Sequence, residues 1–248
     1  MSGGVGPTCS DISLPNEREH EQKLQEDLSS LTNPKSSTSS KKVGFLSFPQ
    51  LNSLAVMTVF AASGMVSPQD FAFVVFSIIY MYFLSKVAFP TINPPIDSLV
   101  FDPKNKILGL YVFVGAIIGL FLPLAYILEG IFEGDKEGIK AAAPHVFLLA
   151  AQVFMEGVAF SERLSIPIRV FVPVFYNSRR IFTIVDWLRN EITKVEQDYG
   201  GSTRRLHIGR SLAVANLAFW CFNLFGFLLP VYIPRAFKKH YTGLKVLD

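Results

Sequence analysis

Cysteine is nearly missing from this sequence, with 2 in 248 residues. Cys9 lies in a polar stretch and Cys221 in an apolar one, and no C-x-x-C spacing occurs. Neither a disulfide framework nor a thiolate metal site can be read from that, and the redox compartment stays open. Charge is also scarce: 17% of residues are charged against 50% apolar, with a net charge of +3. A balance so close to neutral gives no reason to expect nucleic acid as a partner. Enzyme signatures are lacking too, with no H-E-x-x-H, no G-x-S-x-G, no P-loop and no dinucleotide fingerprint. His20, His145, His207 and His240 show no zinc spacing. The expectation is a non-enzymatic chain with no cofactor and no metal.

Addressing signals are equally thin. The first 42 residues are polar and lack an apolar core, so no cleavable signal peptide is expected. A Ser-rich run at Ser36–Ser40 resembles part of an organelle transit peptide, but Asp11, Glu17, Glu19, Glu21, Glu26 and Asp27 oppose that reading. Myristoylation and prenylation patterns are missing, and so is any N-x-[ST] sequon.

What the sequence has instead is long apolar runs. Ile107–Leu128 is uncharged, and as a helix it is about 33 Å long, enough for a hydrocarbon layer of ~30 Å. Its fourteen Leu, Ile, Val and Phe residues, at roughly −0.4 kcal/mol each, sum to about −6 kcal/mol for insertion. The fold class this predicts is an all-α membrane protein, a polytopic helical bundle of about five spans (four to six). The spans are expected at about 48–66, 71–89, 107–128, 141–160 and 211–234. Residues 1–42 read as a disordered polar tail and 235–248 as a basic tail.

Local signals refine this outline. Ser67-Pro68-Gln69-Asp70 supplies an N-cap, a first-turn proline and a capping-box acid, so the second span begins almost where the first ends. Pro90, Pro94 and Pro95 enforce a loop to about Lys106. Residues 164–176 hold Arg169, Pro167 and Pro173, which fits an interfacial or re-entrant piece better than a span. Residues 178–196 read as an amphipathic surface helix, with Ile181, Ile184, Val185, Leu188, Ile192 and Val195 on one face. Arg179, Arg180, Arg189, Arg204 and Arg205 are then candidate lipid-headgroup contacts. Packing of that helix against the chain's own bundle, or a partner helix, is the competing reading.

Lys41 and Lys42 put the N-terminus on the cytoplasmic side, and alternating loop charge agrees through residue 210. The rule then strains. A fifth span would place Arg235, Lys238, Lys239 and Lys245 on the opposite side; either the last segment bends near Pro230, or 164–176 crosses after all, or the tail tolerates that position.

His145, Gln152 and Glu156 are the candidate chemical residues. Spacings of 7 and 11 put them within about 40° of arc on one helix face, and such a stripe must face protein or water. It is either a proton or solute path, or a set of helix-pairing hydrogen bonds to Asn216 and Asn223. Gly115 and Gly119, in a G-x-x-x-G pair, are candidates for close helix packing.

Taken with the third and fourth spans, Phe101-Asp102-Pro103-Lys104, Asn177-Ser178-Arg179-Arg180-Ile181 and Trp187-Leu188 give roughly residues 45–240 a texture that resembles a plant family of uncharacterised multi-pass transmembrane proteins. The resemblance implies a membrane protein with no assigned activity and carries over no functional residue. The expected partners are the lipid bilayer and, through helix packing, a protein partner or a second copy. The function expected first is membrane organisation or assembly through the amphipathic helix. The alternative is a small solute or proton carrier using the polar stripe.

Overall fold

The computed structural model describes residues 48–90, 100–102, 104–161, 164–194 and 203–245. The tail expected at 1–42 lies outside these residues, as do 195–202 and 246–248. Within them the chain is all-α, six helices in sequence. We number them α1 (Phe48–Ala62), α2 (Pro68–Val87), α3, α4 (Lys136–Ser161), α5 (Ile166–Thr193) and α6. Helix α3 comprises Lys106–Ala116, a π-helical turn Ile117–Phe121 and Leu122–Glu133. Helix α6 comprises Thr203–Cys221, a longer π segment Phe222–Tyr232 and Ile233–Lys245.

The helix starts follow from local chemistry. Ser67 Oγ accepts the Asp70 amide at 3.1 Å and donates to the Asp70 carboxylate at 2.7 Å, capping α2. Asn105 Oδ1 accepts the amides of Ile107 and Leu108 at the start of α3. Gly134, at φ 73°, ends α3 in the left-handed conformation that glycine adopts without a Cβ clash. One residue later Asp135 Oδ1 accepts the Gly138 amide at 2.9 Å, so a two-residue turn stops one helix and starts the next.

Side-chain pairs fix the helix directions. Asp70 meets Arg179, and Phe89 O accepts the Ser165 hydroxyl, so α2 and α5 are antiparallel. Tyr111 meets Asn223 and Tyr126 meets Arg205, so α3 and α6 are antiparallel. Gln152 meets Arg180, and Arg169 lies over Phe160, which sets α4 against α5. Gln50 of α1 packs against Gly157 near the end of α4. The start of α1 and the C-terminal segment of α6 therefore share one end of the bundle.

Among the described residues, four helical stretches are long and apolar enough to cross a membrane: Pro68–Val87, Lys106–Glu133, Lys136–Phe160 and Thr203–Gly243. Their outer faces leave large apolar side chains exposed, among them Phe71, Ile79, Phe113, Phe121 and Phe225. Apolar surface of that extent is compatible with a lipid environment.

One sequence expectation is corrected here, and one alternative for the last segment is excluded. Residues 164–176 and 178–194 are not an interfacial piece followed by a surface helix. They lie on one continuous helix, α5, with Pro173 inside it. That helix is packed by α2, α4 and α6, and it continues through the proline that lacks an amide to bond. Nor does the last segment turn back near Pro230: α6 runs on through that proline in its wider π segment.

A buried polar spine as the candidate functional site

A proline in α3 creates the first element of the site. Pro123 has no N–H to offer the carbonyl four residues earlier, that of Gly119, which lies in the π turn. His145 of α4, fully buried, fills the gap: its Nε2 donates to Gly119 O at 2.8 Å. Because a carbonyl only accepts, this bond sets the proton on Nε2 and leaves Nδ1 as the acceptor. The imidazole lies between Trp187 and Trp220, at ring-centroid distances of 6.3 and 6.1 Å.

The second element is Arg180 of α5, which has no solvent exposure. Its guanidinium lies 4.1 Å from the Trp220 ring centroid. Arg180 Nη2 donates to Gln152 Oε1 at 2.5 Å, and Gln152 Nε2 donates to Glu156 Oε1 at 2.8 Å. Gln152 thus links the Glu156 carboxylate to an arginine that has no ion pair within 4 Å among the described residues. Nε and Nη1 of Arg180 meet no hydrogen-bond partner among the described residues. A buried cation with free donors is costly unless something polar completes it.

A second polar cluster closes one end of the bundle, and here the charges are well met. Arg205 of α6, also fully buried, donates from Nε to Asp135 Oδ2 at 2.8 Å and from Nη1 to the Tyr126 carbonyl at 3.0 Å. Glu129 and Glu133 lie 3.5 and 3.9 Å from the same guanidinium. Tyr126 donates its hydroxyl to Glu191 at 2.9 Å, and Lys194 reaches Glu191 and Asp135 at 2.9 and 3.7 Å. Arg210 caps the C-terminal end of α5 by donating to the carbonyls of Glu191 and Lys194. Gly130, Gly138 and Gly209 surround this knot, and a Cβ at any of them would sit within 3 Å of a knot side chain.

Of the stripe expected on sequence grounds, Gln152 and Glu156 share a hydrogen bond, while buried His145 bonds Gly119 O instead. The stripe's partners differ from the expected ones. Asn216 accepts from Trp220 Nε1 and donates to Leu212 O, while Asn223 accepts from Tyr111. Neither asparagine bonds the stripe. Gly115 and Gly119 make room for the rings of Phe219 and Trp220 rather than for a second helix backbone.

Of the proposed headgroup contacts, Arg180 and Arg205 are corrected, because both are wholly buried. Arg179 pairs with buried Asp70 at 2.8 Å. Arg189 is exposed with Asp186 at 3.4 Å, and Arg204 is exposed. Asp70, Tyr126, Asp135, Trp187 and Glu191 did not stand out as site residues, since only tertiary packing brings them to their partners. Asp70 alone carried a hint, through its capping position.

A family model described as a domain of unknown function, DUF7733, matches residues 46–241. The chain belongs to the DUF7733 family. The matched region covers all six helices up to Tyr241, including the spine and the knot. No curated protein and no solved structure matches the chain. The family assignment and the four apolar helices together are compatible with an integral membrane protein of unknown activity.

Proposed function

We propose that this DUF7733 chain is a multi-pass membrane carrier that moves a small anionic solute past Arg180, with Glu156 as the group that competes for the arginine's charge. The observation that supports it is the unshared half of Arg180: two donor nitrogens, wholly buried, in the middle of a bundle sheathed in apolar side chains. An intramembrane ionisable residue of this kind has function as its default reading. The carrier reading is non-enzymatic. Protonating Glu156 removes the charge that reaches Arg180 through Gln152, which leaves the guanidinium to the solute.

We also read all six helices as crossing, α5 inside the sheath of the others. The end holding the start of α1 carries Lys86, Lys104, Lys106, Arg235, Lys238 and Lys239, against Asp102 and, further in, Glu156 among the described residues. The other end balances its bases with Glu129, Glu133, Asp135, Glu137, Asp186 and Glu191. Placing the basic end in the cytoplasm satisfies the positive-inside rule at both termini, which five crossings do not.

The membrane-organising role rested on a surface-lying helix at 178–196. With residues 178–194 inside the bundle, that role has no such helix to act through.

The test is flux into protein-reconstituted vesicles, with chloride, nitrate and phosphate as separate probes. Wild-type protein is expected to speed one of them over protein-free vesicles, and Arg180→Gln to abolish the gain. Wild-type vesicles that match empty ones for all three probes would overturn the proposal.

A further inference from the structure

Helices α3 and α6 touch where Gly119 receives Trp220, and again where Glu129 and the Tyr126 carbonyl hold Arg205. Between these two contacts they part, leaving a lateral cavity of about 730 Å³. That volume falls within the ~300–1,000 Å³ of small-ligand pockets. Its walls change character along their length. Leu122, Ala125 and Ala215 line the part toward the middle of the bundle, whereas Glu129 and His207 line the part nearest the knot. Leu122, Ala125, Ser211 and Ala215 are exposed, so the cavity opens sideways from the bundle. Arg204, also exposed, precedes Ile208 by one helical turn and so stands on the same face at the rim.

We infer that this cavity binds one acyl chain of a zwitterionic glycerophospholipid. The chain lies between Leu122 and Ala215, and the headgroup meets the rim at the knot end. Charge complementarity selects the headgroup: Glu129 offers a carboxylate to an ammonium, and Arg204 offers a guanidinium to the phosphate. A purely anionic headgroup brings no ammonium to Glu129, whose carboxylate Arg205 meets only from its buried side at 3.5 Å. The small side chains of Ala125, Ser211 and Ala215 form the recess, so a large side chain there occupies the place of the acyl chain. The site is separate from Arg180, and it stands whether or not the chain carries a solute.

The experiment is native mass spectrometry of detergent-purified full-length protein, delipidated and then incubated with phosphatidylethanolamine or phosphatidylglycerol. Wild type is expected to retain phosphatidylethanolamine with about tenfold preference, a gap of ~1.4 kcal/mol. Ala125→Trp and Ala215→Trp are expected to lose the adduct, and Leu110→Trp, elsewhere on the exposed face of α3, to keep it. Each variant is first shown to melt as wild type does. Equal adducts in wild type and in both tryptophan variants would overturn the site. Equal retention of the two lipids would overturn the headgroup assignment. A wild-type dimer that Ala125→Trp converts to monomer would show that a second copy of the chain fills the cavity instead.

Discussion

His145 and Gly119 share a 2.8 Å hydrogen bond that exists because of a third residue. Pro123 withholds the amide that a regular helix would have aimed at the Gly119 carbonyl, and the imidazole of a neighbouring helix takes its place. A sequence feature that weakens one helix thereby ties two together.

Replacing His145 by Ala should cost about 2–4 kcal/mol, from the cavity it leaves and the orphaned carbonyl. Pro123→Ala restores an amide that can reach Gly119 O. The double variant should therefore lose about 1 kcal/mol less than the two single losses added together. Chemical unfolding of the four proteins in mixed micelles measures this coupling, and strict additivity would refute it.

Arg205 should be the most sensitive position in the knot. Its removal leaves Asp135 buried, with Glu129 and Glu133 close by, and breaking a buried charge network by one partner typically costs about 3–5 kcal/mol. Arg205→Ala is expected to yield little folded protein by size-exclusion chromatography in detergent. Arg189→Ala, which touches only exposed Asp186, should be indistinguishable from wild type.

The glycines are expected to divide sharply. A methyl group at Gly209 would lie within 3 Å of the Glu191 carboxylate and the Tyr126 hydroxyl, and one at Gly130 would meet Arg205. Either alanine should destabilise by about 1–3 kcal/mol. Gly109 has nothing within 4 Å of the same position, so Gly109→Ala should be neutral, or more stable by up to ~1 kcal/mol through helix propensity. Thermal melts in one detergent would rank all three, and equal melting temperatures would count against the knot's close packing.

Six crossings are expected to show in thiol accessibility. With Cys9 and Cys221 replaced by Ser, single cysteines at Lys104 and Lys238 should label from one side of sealed vesicles. Those at Glu137 and Arg189 should label only from the other. Labelling of 104 and 189 from the same side would mean that α5 does not cross.

How much of this could be read in the sequence depends on what each residue answers to. Ser67, Asp70, Asn105 and Gly134 act on their own neighbourhoods, and their helix ends follow from local rules. Ile107–Leu128 declares itself because lipid selects apolar composition. The stripe at His145, Gln152 and Glu156 was visible as a face, because helical spacing is local. Its partner was not. Arg180 reads as a surface charge by composition, and only the packing of α2, α4 and α6 around α5 shows that it is interior. Hydropathy measures what a helix would do facing lipid, and much of α5 faces the other helices instead. Within 178–194, Arg179, Arg180 and Lys194 meet buried partners in Asp70, Gln152 and Asp135, while Asp186 and Arg189 stay exposed.

That arrangement constrains how the protein is made. A helix carrying Arg169, Arg179, Arg180, Asp186 and Arg189 gains little by entering a bilayer alone, since each charge near the centre costs about 2.5–3.5 kcal/mol. If α5 crosses as proposed, it is expected to wait, during synthesis, until α6 has left the ribosome and can shelter it. A nascent chain halted before Thr203 should hold α5 outside the lipid, open to added protease, and one released after Lys245 should protect it. Protection of both chains would show that α5 enters on its own.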